Sequence, residues 1–176
     1  GECGIDYFRL PAQAGGADET EKIRQKKLFS EHIALARTVG KPLMIHGRPK
    51  AGSMDAYEDI LSVLDGVPGV HSGVVHFFSG DKEIAKKFIE RGFNFSFGGV
   101  LTFTGEYDDV VRYIPLKNIL SETDSPYVAP TPHRGGRNNS TFVPLVVARI
   151  AEIHGLPKEE VQQALAANAR RVFGLA

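Results

Sequence analysis

The chain has 176 residues, 42% of them hydrophobic and 24% charged, and its 21 lysines and arginines balance 21 aspartates and glutamates. That suits one ordinary soluble domain able to bury roughly 70% of its unfolded surface, and a zero balance gives no overall electrostatic sign of a nucleic-acid or membrane partner, though it leaves room for a local basic loop. One cysteine excludes an internal disulfide, and no apolar run approaches the ~20 residues that span a bilayer, so a cytoplasmic protein without a membrane partner is expected.

The opening GECGIDYFRLP (1–11) is apolar and glycine-flanked, yet carries Glu2, and it reads as the tail of a strand. A helix is predicted from about Glu21 to Val39, stopped by Gly40. KPLMIHGR (41–48) suits a buried parallel strand. Tyr57, Ile60, Leu61 and Leu64 then fall at helical spacing, with Ser53 as the expected N-cap. HSGVVHFFSG (71–80) is strand-like; Ile84, Ala85, Phe88 and Ile89 mark the next helix, capped by Asp81 and stopped by Gly92. FNFSFGG (93–99) alternates as a strand does, and Tyr107, Val110, Val111 and Ile114 predict a short helix ending at Pro115. NILSETD (118–124) is the last predicted strand, the proline-rich SPYVAPTPHRGGRNNS is a loop, and helices over 141–154 and 157–172 close the order.

Strict alternation of this kind predicts an α/β fold with a parallel sheet and right-handed crossovers, either doubly wound or a (β/α) barrel. A complete eight-stranded barrel takes about 250 residues, and five strand units are visible here.

Glu2, His46, His76 and Asp124 each fall where a predicted strand gives way to its following loop. In barrels that is the face on which active sites are built. Two imidazoles and two carboxylates suit Zn, Mn, Mg or Fe. A single histidine after an apolar run is more often structural than ligating, and Asp124 alone would pass for an Asx turn before Pro126. The signal lies in four ligand types at four equivalent positions. His32 and His154 fall on helices and read as structural or exposed, His71 at the far end of its strand reads as structural, and Cys3 reads as a small buried hydrophobe.

GECGIDY, PLMIHGRP, GVVHFFSG and LSETDSPYVAPTPHRGGRN, in this order, resemble the TatD family of metal-dependent deoxyribonucleases, which are amidohydrolase-like (β/α)8 barrels. The resemblance covers nearly the whole chain. It implies two divalent ions (Mg, Mn or Zn) held by Glu2, His46, His76 and Asp124, with Glu2 bridging and Asp124 deprotonating the attacking water. DNA is then the implied substrate. Arg48, His133, Arg134 and Arg137 are expected to bind its phosphates, helped by the backbone N–H groups of Gly135 and Gly136.

Family members begin with a strand carrying H-x-H, and that motif does not occur here. The chain therefore reads as strands 4 to 8 and the closing helices of one incomplete TIM barrel, with Glu2 ending strand 4. A complementary N-terminal fragment or self-association is expected to cover the open edges. GRPKAGSMDAY, after His46, is longer than the family's usual loop. Two other functions compete: an ester or amide hydrolase such as a D-aminoacyl-tRNA deacylase, and a non-catalytic barrel fragment that binds metal weakly when alone.

Overall fold

The computed structural model describes residues 1–8, 10, 17–67, 69 and 72–175, so the expectation for His71 lies outside the described residues. Among them five strands form one all-parallel sheet in the order β1-β2-β3-β4-β5: β1 (Cys3–Asp6), β2 (Leu43–Arg48), β3 (Gly73–His76), β4 (Asn94–Phe97) and β5 (Ile119–Ser121). Sequential order in a parallel sheet needs a crossover after each strand, and helices α1 (Ala17–Val39), α2 (Asp55–Gly66), α3 (Lys82–Glu90) and α4 (Asp108–Tyr113) supply them. After β5 come α5 (Val143–His154) and α6 (Lys158–Phe173). The α/β alternation read from the sequence is the observed one, and β1 and β5 are the sheet's two edges.

The strands are shorter than the sequence suggests, because pairing stops where the loops turn away. The last covers three residues instead of 118–124, and the first helix starts four residues before Glu21. Asp81 caps α3 as predicted, its carboxylate accepting from the Ile84 N–H at 2.8 Å. Ser53 does not cap α2. Met54 holds the cap position, and the Ser53 hydroxyl accepts from the Asp55 N–H at 3.0 Å instead.

Strand alternation divides the sheet into two faces. Ile5, Ile45, Val75, Phe95 and Ile119 are buried in the main core, with Phe29, Ile60, Phe88 and Ile150 from the helices. The alternate residues, Gly4, His46 and His76 among them, turn to the other face. There Val74 and Leu120 pack with Val172, Ala169 and Phe173 of α6. Asn168 pins α6 in place by donating to the Leu116 and Ile119 carbonyls, both at 2.8 Å. One end of this face is thus closed by α6, and the other, at the strands' C-terminal ends, stays open.

Candidate metal centre

Parallel register does the first part of the assembly. Gly4 stands beside His46 and His46 beside His76, so the two imidazoles occupy neighbouring positions on one rung. Their ring centroids are 5.7 Å apart. Gly4 permits the close approach of β1 to the His46 backbone: its φ is +140°, and a Cβ there would lie 2.1 Å from the His46 carbonyl oxygen. Glu2 is not at the end of its strand as expected. It lies just ahead of β1, whose pairing runs on through Asp6 and Arg48, and its carboxylate reaches the rung from there.

Ligand atoms of Glu2, His46 and His76 all lie within 4.8 Å of one another. Glu2 Oε2 is 3.6 Å from His46 Nδ1 and 3.3 Å from His76 Nε2. The far nitrogen of each ring meets a second carboxylate: His46 Nε2 is 3.1 Å from Asp6 Oδ2, and His76 Nδ1 is 3.2 Å from Glu122 Oε2. Glu122 also accepts from the Phe77 N–H at 2.6 Å. Histidines that hold metals characteristically donate their other ring nitrogen to a carboxylate, which fixes tautomer and orientation. This donor set fits a divalent cation. Burial alone would lower the pKa of His76, but the bonded Glu122 and the charges of Glu2 and Asp124 raise it above the ordinary imidazole range.

Asp124 stands apart from the triad, three residues beyond β5, with φ +56°. An aspartate tolerates this left-handed conformation better than most residues. Half-burial, reinforced by the negative charges of Glu122 and Glu2, raises its pKa against the opposing pull of His76 and His46. All four expected ligands line a single cleft of about 890 Å³, shared with Asp6, Arg48 and Tyr127.

The cleft wall beyond Asp124 is set by Asn138, a buried residue in the predicted loop. Its side-chain amide donates to the Thr123, Tyr127 and Val128 carbonyls at 2.6, 2.8 and 3.2 Å. Gly99 lets this loop lie flat on the turn after β4, since a Cβ there would meet the Val128 carbonyl oxygen at 2.2 Å.

Of the four expected phosphate-binding residues, Arg48 lines the cleft, while His133, Arg134 and Arg137 are exposed and outside its lining. His133 stacks on Phe142 at 4.0 Å, and the Arg134 guanidinium lies 3.6 Å from the centre of the Phe103 ring. The Gly136 N–H is already taken by the His133 carbonyl at 3.1 Å, which removes it from the expected phosphate cradle. His32 is half-buried on its helix and bonded within it to the Leu28 carbonyl at 2.9 Å, a structural residue as expected. Cys3 is half-buried with its thiol pushed up to about 11, chiefly by burial, which leaves it inert. Asp6 and Glu122 are the residues that sequence reasoning missed, although both lie inside quoted motifs.

A parallel α/β sheet with imidazoles and carboxylates gathered in one cleft on its open face matches the class of metal-binding proteins built on strand-end loops. Within that class, this chain belongs to the family described as TatD related DNase, which matches residues 1–174. It is 39% identical over 176 residues to the uncharacterized metal-dependent hydrolase YcfH of Escherichia coli K12, covering 98% of this chain and 61% of that protein. It is 37% identical to the uncharacterized metal-dependent hydrolase YabD of Bacillus subtilis, covering 98% of this chain and 64% of the relative. The crystal structure of YjjV, a TatD homologue from E. coli K12, superposes with a TM-score of 0.82 at 27% identity over all of this chain and 63% of its own. The chain therefore spans somewhat under two thirds of the length of these proteins. No helix among the described residues is long and apolar enough to cross a membrane.

Proposed function

We propose that this chain carries the catalytic face of a divalent-metal-dependent hydrolase, a deoxyribonuclease that cleaves DNA phosphodiester bonds in exonuclease fashion. One observation carries the reading. The Glu2 carboxylate faces the near nitrogens of His46 and His76, and each far nitrogen is held by a carboxylate of its own. The name of the family and the names of the metal-dependent relatives support it.

In this proposal Glu2, His46, His76 and Asp124 hold two divalent ions, Mg, Mn or Zn. Bound there, the metal supplies Lewis acidity and lowers the pKa of water towards neutrality. Glu2 sits between the two imidazoles, where one carboxylate can serve both ions. Glu122 and Asp6 keep the rings turned so that His76 offers Nε2 and His46 offers Nδ1. Asp124, at the cleft beside the triad, takes a proton from the attacking water. Arg48 neutralises a non-bridging phosphoryl oxygen in the cleft. Further donors for the second ion are proposed to come from a complementary N-terminal segment or a second copy, and the setting is proposed to be the cytoplasm.

The test is Asp124→Asn, assayed on an oligonucleotide with Mn²⁺, Mg²⁺ or Zn²⁺ and, in parallel, on a D-aminoacyl-tRNA. DNA turnover should fall about 10²–10⁴-fold with the fold retained. Wild-type turnover of the aminoacyl ester alone would replace the nuclease with the deacylase.

A further inference from the structure

Several cations around the open face are held in one of two ways. Lys50 is paired with Asp18 at 2.6 Å, Lys82 with Asp109 at 3.7 Å, and Arg149 with Asp108 at 2.6 Å. Arg48 and Arg134 have no carboxylate partner among the described residues. Each lies instead on a phenylalanine, Arg48 at 3.9 Å from the centre of the Phe8 ring and Arg134 at 3.6 Å from that of Phe103. The two rings remain 44% and 39% exposed. A guanidinium laid on a ring is oriented at little entropic cost, while its charge and its in-plane N–H fork stay available. That fork matches two oxygens of a phosphate.

The two stacks belong to different strand ends of the sheet. Arg48 ends β2 and lines the cleft, with its carbonyl accepting from the Tyr7 N–H at 2.8 Å. The Phe8 N–H donates to Asp6 Oδ1 at 3.0 Å, and the other oxygen of Asp6 is the one beside His46. The first stack is thereby tied to the metal triad. Arg134 belongs to the loop after β5 and Phe103 to the turn after β4. The Thr131 N–H joins these two segments by donating to the Thr102 hydroxyl at 2.8 Å. Between α3 and α4 a separate groove is lined by Asp81, Glu83, Glu106 and Asp109 with a single lysine, Lys82, and this acidic excess repels phosphates.

We propose that the Arg48–Phe8 and Arg134–Phe103 stacks are two anion-binding stations for one polyanionic substrate, the inner one beside the metal centre and the outer one beyond the cleft. This rests on the nuclease reading and sharpens it: the outer station selects oligonucleotides over mononucleotide-sized phosphate esters. It also assigns Phe8 and Phe103 to substrate recognition.

The experiment is fluorescence anisotropy in EDTA, so that nothing is cleaved, with a labelled eight-residue oligothymidylate. Unlabelled thymidine monophosphate and inorganic tripolyphosphate serve as competitors. Arg134→Gln should weaken oligonucleotide binding about tenfold and lower the salt slope by about one, with the monophosphate unaffected. Phe103→Leu should give a smaller loss, about threefold, in the same direction. Arg48→Gln should weaken both ligands alike. Oligonucleotide binding indifferent to Arg134→Gln, or a monophosphate loss equal to the oligonucleotide loss, would overturn the proposal. Tripolyphosphate binding that depends on Arg134, with no oligonucleotide binding, would keep the two stations and sink the nuclease reading.

Discussion

The two halves of the metal centre are built differently. The His76 side chain is 7% exposed and is held by Glu122, which also ties down the Phe77 N–H immediately after it. His46 is 32% exposed, and the carboxylates on either side of it, Glu2 and Asp6, are more open still. The buried half has two elements, β3 and the residue after β5, fixing one ring. The open half takes its two carboxylates from the segment of the edge strand β1, and the second of them also holds Phe8. A tightly held imidazole and a more accessible one thus stand side by side in the candidate centre. Low local dielectric makes the His76–Glu122 contact the more costly one to lose.

The comparison breaks most completely at the ligand itself. His76→Ala should weaken Zn²⁺ or Mn²⁺ binding more than about 100-fold by titration calorimetry, exceeding the 10–100-fold typical of outer partners. Next comes the asymmetry between those partners. Glu122→Gln should cost toward the upper end of that 10–100-fold range and Asp6→Asn under about tenfold; equal losses would mean that burial does not grade the two halves. A third effect concerns the wall beyond Asp124. Asn138→Ala leaves three carbonyls without their shared donor and should cost about 1–3 kcal/mol in denaturant unfolding, with little change in metal affinity.

The smallest effect comes from another histidine. His154, in the last turn of α5, has a buried Nε2 without a partner among the described residues. Burial, with the Arg112 charge beside it, lowers its pKa against the hydrogen bond to Val111. The unfolded chain then binds the proton more readily than the folded one, so this contribution is intact above the ordinary histidine pKa of about 6.5 and is lost as pH falls below it. Between pH 7.5 and 5.5 the Tm should drop, and His154→Gln should make that drop shallower by a few °C. An unchanged slope would remove His154 from the account.

Local signals were readable in the sequence and tertiary ones were not. Asp81 is legible as a cap because its partner is three residues away. The order of strands and helices is legible because it follows periodicity. Glu122 and Asp6 lie in plain view in SETD and GECGID, but their partners are 46 and 40 positions distant, and nothing local separates them from solvated carboxylates. Asn138 looks like any loop asparagine until the three carbonyls it serves are folded around it. Ser53 failed as a cap because its hydroxyl met the Asp55 N–H from one residue too early. Arg134 was legible as a cation of the metal face, whereas its seat on Phe103 depends on two loops meeting.

The most direct test is NMR of the chain labelled with ¹⁵N-histidine, titrated with Zn²⁺. If Glu2, His46 and His76 hold a divalent ion in the arrangement described, the resonances of His46 Nδ1 and His76 Nε2 shift together as zinc is added. Those of His32 and His154 stay where they were. Zinc-induced shifts at His46 Nε2 and His76 Nδ1, or none at either ring, would contradict the centre.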